Sequence, residues 1–170
     1  MTTFAKFRSI DPKACQSARR WFPDDTASGQ TLSVQFLGVE EDDQTYGDKH
    51  VDGVRLNFQV LDGPDAGRQF STDFIGFEDP NEPGLKDTIA KARSASLGSL
   101  KENCAAIIGV DGDQCDAWGW PDTLGRCNDA AKQGVRLSVT CRTTKRKGKA
   151  KADGTVPEYE NHYVNVRSRL

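Results

Sequence analysis

The sequence predicts a mainly β domain, a five-stranded OB-like Greek-key barrel with one long helix between strands three and four. Several segments alternate apolar and polar residues with a period of two, which is typical of half-buried strands. Residues 85–108 instead place apolar side chains mostly three and four positions apart, as an amphipathic helix does. The resulting order, β-β-β-α-β-β, favours the OB barrel over a sandwich of about seven strands without a central helix.

Three strands are predicted before the helix. Strand one covers residues 31–39, and a polar loop over 40–53 separates it from strand two, residues 54–60. The segment 62–67 is rich in glycine, proline and aspartate, which supply the backbone conformations of tight turns. Strand three, residues 68–75, is therefore expected to form a hairpin with strand two.

The second half of the chain supplies the helix and two more strands. The helix over 85–108 is followed by Gly109, a common residue just past a helix end. An irregular insertion or a short helix is expected over about 110–130, where the roles of Trp118 and Trp120 stay open. Alternation returns after Gly134 and again between Tyr159 and Arg167, which predicts strands four and five.

Residues 1–30 are expected to form an N-terminal arm outside the barrel domain of residues 31–170. This segment mixes Phe4, Phe7, Trp21 and Phe22 with two prolines and a polar run. The stretch from Pro12 to Arg20 could hold a short helix, but the two prolines and the Ser/Gly run favour an arm or lid.

Composition limits the classes of function. No apolar run approaches the roughly 20 residues that span a bilayer, and the N-terminus lacks the apolar region of a secretory signal. We therefore expect a cytoplasmic protein with no membrane partner. The five cysteines lack repeated short spacings, which favours reduced thiols over a disulfide framework or a metal site. His50 and His162 lack a surrounding catalytic constellation, so neither an enzyme nor a cofactor is expected.

Charge is distributed unevenly along the chain. The whole sequence has a formal net charge of -2, but residues 131–170 carry ten Lys and Arg against three Asp and Glu. The run 142–151 alone holds six basic residues and no acid. On a loop between strands four and five, such a run would attract a phosphate backbone in a salt-dependent way, although many charge runs are merely solvated.

Bases of a single strand also need flat side chains on which to stack. If the valines and leucines of strands two, four and five face inward, certain polar and aromatic side chains must face outward. A tyrosine at such a position could instead cap a barrel end. The candidate nucleic-acid-binding residues are Tyr46, Arg55, Asn57, Arg136, Arg142, Lys145, Arg146, Lys147, Lys149, Lys151, Tyr159, Tyr163 and Arg167.

The segment from Val54 to Phe70, with its Leu61-Asp-Gly-Pro turn and Gly67-Arg68 between two strands, resembles phage-encoded OB-fold single-stranded-DNA-binding proteins of replication and recombination. The resemblance extends over roughly Thr31 to Arg167 and includes the helix and the lysine-rich penultimate loop. It implies sequence-non-specific binding of single-stranded DNA, with replication or recombination proteins as further partners.

Two alternatives remain open at this point. The same barrel could serve as a protein-interaction or virion structural module rather than a DNA binder. A barrel edge could also pair across a two-fold axis and form a homodimer.

Overall fold

A six-stranded antiparallel sheet organises residues 20–170, the part of the chain that the computed structural model describes. The strands are β1 (Leu32–Tyr46), β2 (Lys49–Val60), β3 (Gln69–Ser71), β4 (Ile75–Gly76), β5 (Arg136–Lys147) and β6 (Glu158–Arg169). Their order is β3-β2-β1-β5-β6, and β4 pairs with β2 beyond β3. The prediction of a mainly β domain is confirmed.

Three helices connect β4 to β5: α1 (Asp87–Ile108), α2 (Gly112–Trp118) and α3 (Trp120–Lys132). The predicted long helix is confirmed, and Gly109 ends it in the left-handed conformation at φ 84°. The segment for which an irregular insertion or a short helix is expected forms two helices, α2 and α3, which are separated at Gly119 because its φ of 76° suits glycine and not a helix interior. Among the described residues, none of the helices combines the length and apolar character needed to cross a membrane.

The core lies between the sheet and helices α1 and α3. The sheet contributes the inward side chains of the predicted alternating segments, and the helices contribute one apolar stripe each. The fully buried members include Val34, Phe36, Leu56, Phe58, Leu100, Cys104, Ile107, Cys127, Leu137 and Val139. This packing fixes which face of every strand points outward.

The predicted five-stranded OB-like barrel is not confirmed, because the sheet has six strands and is not closed: β3 and β6 remain separate edges. The predicted third strand over 68–75 breaks into β3 and β4. Between them Thr72 still bonds Leu56 on β2 through both its backbone N–H and its hydroxyl, each at 3.0 Å. Asp73 leaves the ladder, and its carboxylate accepts the His162 backbone N–H at 2.8 Å and contacts Nδ1 at 3.0 Å. A side chain therefore spans the place where a strand pairing would close the barrel.

The free edge of β6 is also covered by Asn103 of α1. The Asn103 amide nitrogen donates to the Val164 carbonyl, and its oxygen accepts the Val166 N–H, both at 2.9 Å. Together with Asp73, this buried asparagine satisfies backbone groups at 162, 164 and 166 that would otherwise be open to strand pairing.

Residues 20–30, which we call the strap, run along the opening between β3 and β6. Phe22 packs against Phe70 with ring centroids 5.6 Å apart and against His162 at 4.5 Å. Farther along, Thr26 exchanges hydrogen bonds with Cys141 of β5. The rest of the predicted arm, residues 1–19, lies outside the described part of the chain.

Candidate nucleic-acid interface

The basic run sits largely on a strand rather than on the predicted loop. β5 continues to Lys147 and pairs with β6 residue by residue as far as Glu158. Cross-strand partners such as Arg142 with Tyr163, and Lys145 with Glu160, support this polar extension of the ladder. The turn is therefore confined to residues 148–157, and the basic side chains before it have fixed faces.

The two faces of this hairpin differ in charge. One face continues the buried side of Cys141 and Val164, and near the turn it carries Lys145 within 4 Å of both Glu158 and Glu160. The opposite, outward face alternates with it and holds cations, tyrosines and small polar groups, without a carboxylate from either strand. Its members are Arg136, Thr140, Arg142, Thr144, Arg146, Tyr159, Asn161, Tyr163, Asn165 and Arg167.

We call its four arginines and two tyrosines the Arg–Tyr face. Tyr159 and Tyr163 are each about half exposed, at 49% and 48%. Arg146 lies over the Tyr159 ring, 5.6 Å from its centroid, and Arg142 is the direct cross-strand partner of Tyr163. Within residues 20–170, none of the four arginines forms an ion pair, so their charges are available to an external anion.

A groove of about 760 Å³ runs beside this face. The strap forms one wall, and Thr140, Arg142, Asn165 and Arg167 form the other. Asp25 of the strap lines the groove, where its carboxylate accepts the Thr143 backbone N–H at 2.7 Å. The groove thus has two guanidinium groups, those of Arg142 and Arg167, along one side, and neither forms an ion pair within residues 20–170.

Three predicted residues lie elsewhere. Arg55 and Asn57 face outward on β2, but their side chains are engaged by Asp42 at 3.2 Å and Glu40 at 3.2 Å. Tyr46 is exposed at the β1–β2 turn and bonds Gln44. The structure therefore does not bring these three together with the Arg–Tyr face.

Lys147, Lys149 and Lys151 lie at the end of the β5–β6 hairpin. All three are exposed, and none has an ion-pair partner in the described chain. We refer to them as the basic tip. Lys145 differs, because its two glutamates compensate its charge on the other face.

Sequence reasoning missed two contributions to this region. Asn161 and Asn165 share the outward face, and continuing the period-two alternation from Tyr159 would have identified them. The strap could not have been identified as a groove wall, since nothing in its sequence indicates where it packs.

Burial and the nearby Asp25 raise the pKa of Cys141 beneath the groove to about 12, so this thiol is not a nucleophile there.

No protein-family model, curated protein or solved structure matches this chain. Within residues 20–170, no cluster of three or more His, Cys, Asp or Glu side chains is placed to hold a metal ion. The site is therefore interpreted from its own geometry.

Proposed function

We propose that this protein binds single-stranded DNA without sequence preference, through the Arg–Tyr face, and that it does so without catalysing a reaction. The observation that carries the proposal is the separation of charge across the β5–β6 hairpin. Unpaired arginines and exposed tyrosines share one face, while Glu158 and Glu160 lie on the other with Lys145.

Each group on this face has a function in strand binding. Guanidinium groups contact phosphates in any sequence and release condensed counterions, which gives salt-dependent affinity. Tyr159 and Tyr163 are four residues apart on one strand, about 13 Å, and offer rings to two separate bases. A duplex keeps successive bases stacked about 3.4 Å apart, so such rings favour unstacked single strands.

The OB-like part of the proposal rests on topology. Sequential pairing of β3, β2 and β1, with β5 and β6 on the far side of β1, is the order of an OB barrel opened between its third and last strands. The resemblance of residues 54–70 to phage proteins supports a role in phage replication or recombination, in the host cytoplasm.

The test is fluorescence anisotropy of a labelled oligo-dT of about 30 nucleotides over a salt series, with duplex DNA as competitor. We expect tight, salt-sensitive binding that the duplex competes for poorly. Replacing Tyr163 by Ala should weaken binding by about 1–3 kcal/mol, or roughly 5- to 150-fold. Replacing Arg142 by Ala should reduce the salt slope by about 0.7.

Lys145→Ala is the matched control. It removes one positive charge from the same strand, but on the opposite face and beside two glutamates, so affinity should change by no more than about twofold. Equal losses for Arg142→Ala and Lys145→Ala would reject the Arg–Tyr face as the binding surface. Absence of binding at low salt would reject the function and favour a protein-interaction or virion structural module.

A further inference from the structure

The β1–β2 hairpin extends beyond the core and carries carboxylates at positions that would otherwise face the core. Glu41 and Asp43 follow Val39 on the same side of β1, and Asp52 lies directly opposite Asp43 on β2. Directly opposed like charges destabilise a strand pair. A cation that reaches both carboxylates would therefore stabilise this hairpin.

These carboxylates lack a permanent cation. His50 Nε2 lies 3.2 Å from Asp43 and 3.3 Å from Asp52, and it is charged only when protonated. No Lys or Arg of residues 20–170 forms an ion pair with Glu41, Asp43 or Asp52. By contrast, neighbouring Asp42 on the other face is paired with Arg55.

The carboxylates line a cleft of about 510 Å³ whose lining also includes Phe77 and Leu124, both half-buried. We call it the acidic cleft. A lysine suits such a surface, because its aliphatic stem can cover apolar side chains while its ammonium group meets the carboxylates.

The basic tip and the acidic cleft lie toward opposite ends of the sheet. β1 and β5 pair antiparallel only between Leu32 and Gln35 on one strand and Arg136 and Val139 on the other. From that shared segment β1 reaches Glu41 and Asp43 of the cleft six and eight residues farther on, and β5 continues eight residues in the opposite direction to Lys147. These extensions correspond to about 20–25 Å and about 25 Å of strand, so the tip is directed away from its own cleft.

We propose that the acidic cleft of one copy receives the basic tip of a second copy. The partner is argued from charge complementarity within residues 20–170: three carboxylates without a Lys or Arg partner lie at one end of the sheet, and three exposed lysines without an ion pair lie at the other, although Glu158 is the cross-strand partner of Lys147. Because the two surfaces differ and lie at opposite ends, the contact is heterologous and leaves a free cleft and a free tip. The association therefore grows into open head-to-tail chains rather than stopping at a dimer.

The contact would adjoin Arg146 and Tyr159 at the turn end of the Arg–Tyr face, whereas Arg142, Tyr163 and Arg167 lie farther along the hairpin. If the proposed function holds, successive copies along one strand would bind it cooperatively. The association itself does not depend on that function, so it is tested without nucleic acid.

The experiment is sedimentation velocity at rising protein concentration in roughly 50 mM and roughly 500 mM salt. At low salt we expect species that grow beyond dimers with concentration, and at high salt a monomer. A cleft variant (Glu41→Gln, Asp43→Asn, Asp52→Asn) and a tip variant (Lys147→Gln, Lys149→Gln, Lys151→Gln) should each be monomeric at low salt. Mixed together, they should form a 1:1 dimer and nothing larger, because only one competent interface remains.

The matched control neutralises three exposed carboxylates elsewhere, Asp62→Asn, Glu102→Gln and Asp111→Asn, and should associate like the unmodified protein. The cleft variant should also fold, since it removes the repulsion between Asp43 and Asp52; its unfolding transition checks this. The proposal is overturned by a protein that is monomeric at low salt, by growth that stops at a dimer, by a cleft variant that associates normally, or by blocked variants that fail to pair. None of these results alters the DNA-binding measurement.

Discussion

Asn103 provides the sharpest test of how the open sheet is held. The residue is 6% exposed, and its side-chain amide makes two hydrogen bonds of 2.9 Å to the edge of β6, one to the Val164 carbonyl and one from the Val166 N–H. Replacing it by leucine keeps the approximate size and removes both bonds. The two backbone groups of the edge strand are then left without partners.

The expected cost follows from these contacts. Each orphaned backbone group costs about 1–3 kcal/mol, and burying the leucine returns about 1.5–3 kcal/mol. Because the Val166 site is only half-buried and water can reach part of it, we expect a net loss of about 1–2 kcal/mol in the free energy of unfolding. Urea unfolding measures this loss, and native-state hydrogen exchange should show faster exchange of the Val166 amide.

Asn165→Leu is the control for Asn103→Leu. It makes the same substitution on β6 at an exposed position, where the change should stay within about 0.5 kcal/mol. A loss below about 0.5 kcal/mol for Asn103→Leu, or equal losses for the two variants, would refute the inference that this side chain holds the edge of β6.

Three further predictions concern the strap, β4 and the buried thiol. Phe22→Ala should cost about 1–3 kcal/mol in urea unfolding, because its ring packs on Phe70 and His162; an unchanged midpoint would mean the strap is not docked. Gly53→Ala should lower thermal stability strongly, because a Cβ there would lie 2.3 Å from the Ile75 carbonyl oxygen. Gly63→Ala is the control: a Cβ at Gly63 has open space around it, although the residue must adopt φ 79°, so this change should cost only about 1 kcal/mol. Cys141 should resist iodoacetamide at pH 8 in the folded protein and react in urea, as mass spectrometry of the peptide that contains Cys141 would show. If the folded protein were labelled as fast as the unfolded protein, the raised pKa of Cys141 would be contradicted.

The sequence by itself determined the elements that depend on local pattern. Period-two alternation identified the inward residues of β1, β2 and β5, and spacings of three and four identified α1. This is possible because an element that buries one face needs apolar residues at its own structural period. The same alternation also predicted that the side chains of Arg142, Tyr163 and Arg167 point outward. The excess of basic residues after position 131 was likewise a property of the sequence.

Tertiary structure decided what local pattern does not encode. The gap between β3 and β6 depends on Asp73, Asn103 and Phe22, three side chains from distant parts of the chain that meet only after folding. The basic run was expected to be a loop because polar residues lack an apolar period, yet cross-strand partners on β6 hold it as a strand. Pairing between strands therefore determined which charges share a face, and this arrangement separates Arg142 from Lys145.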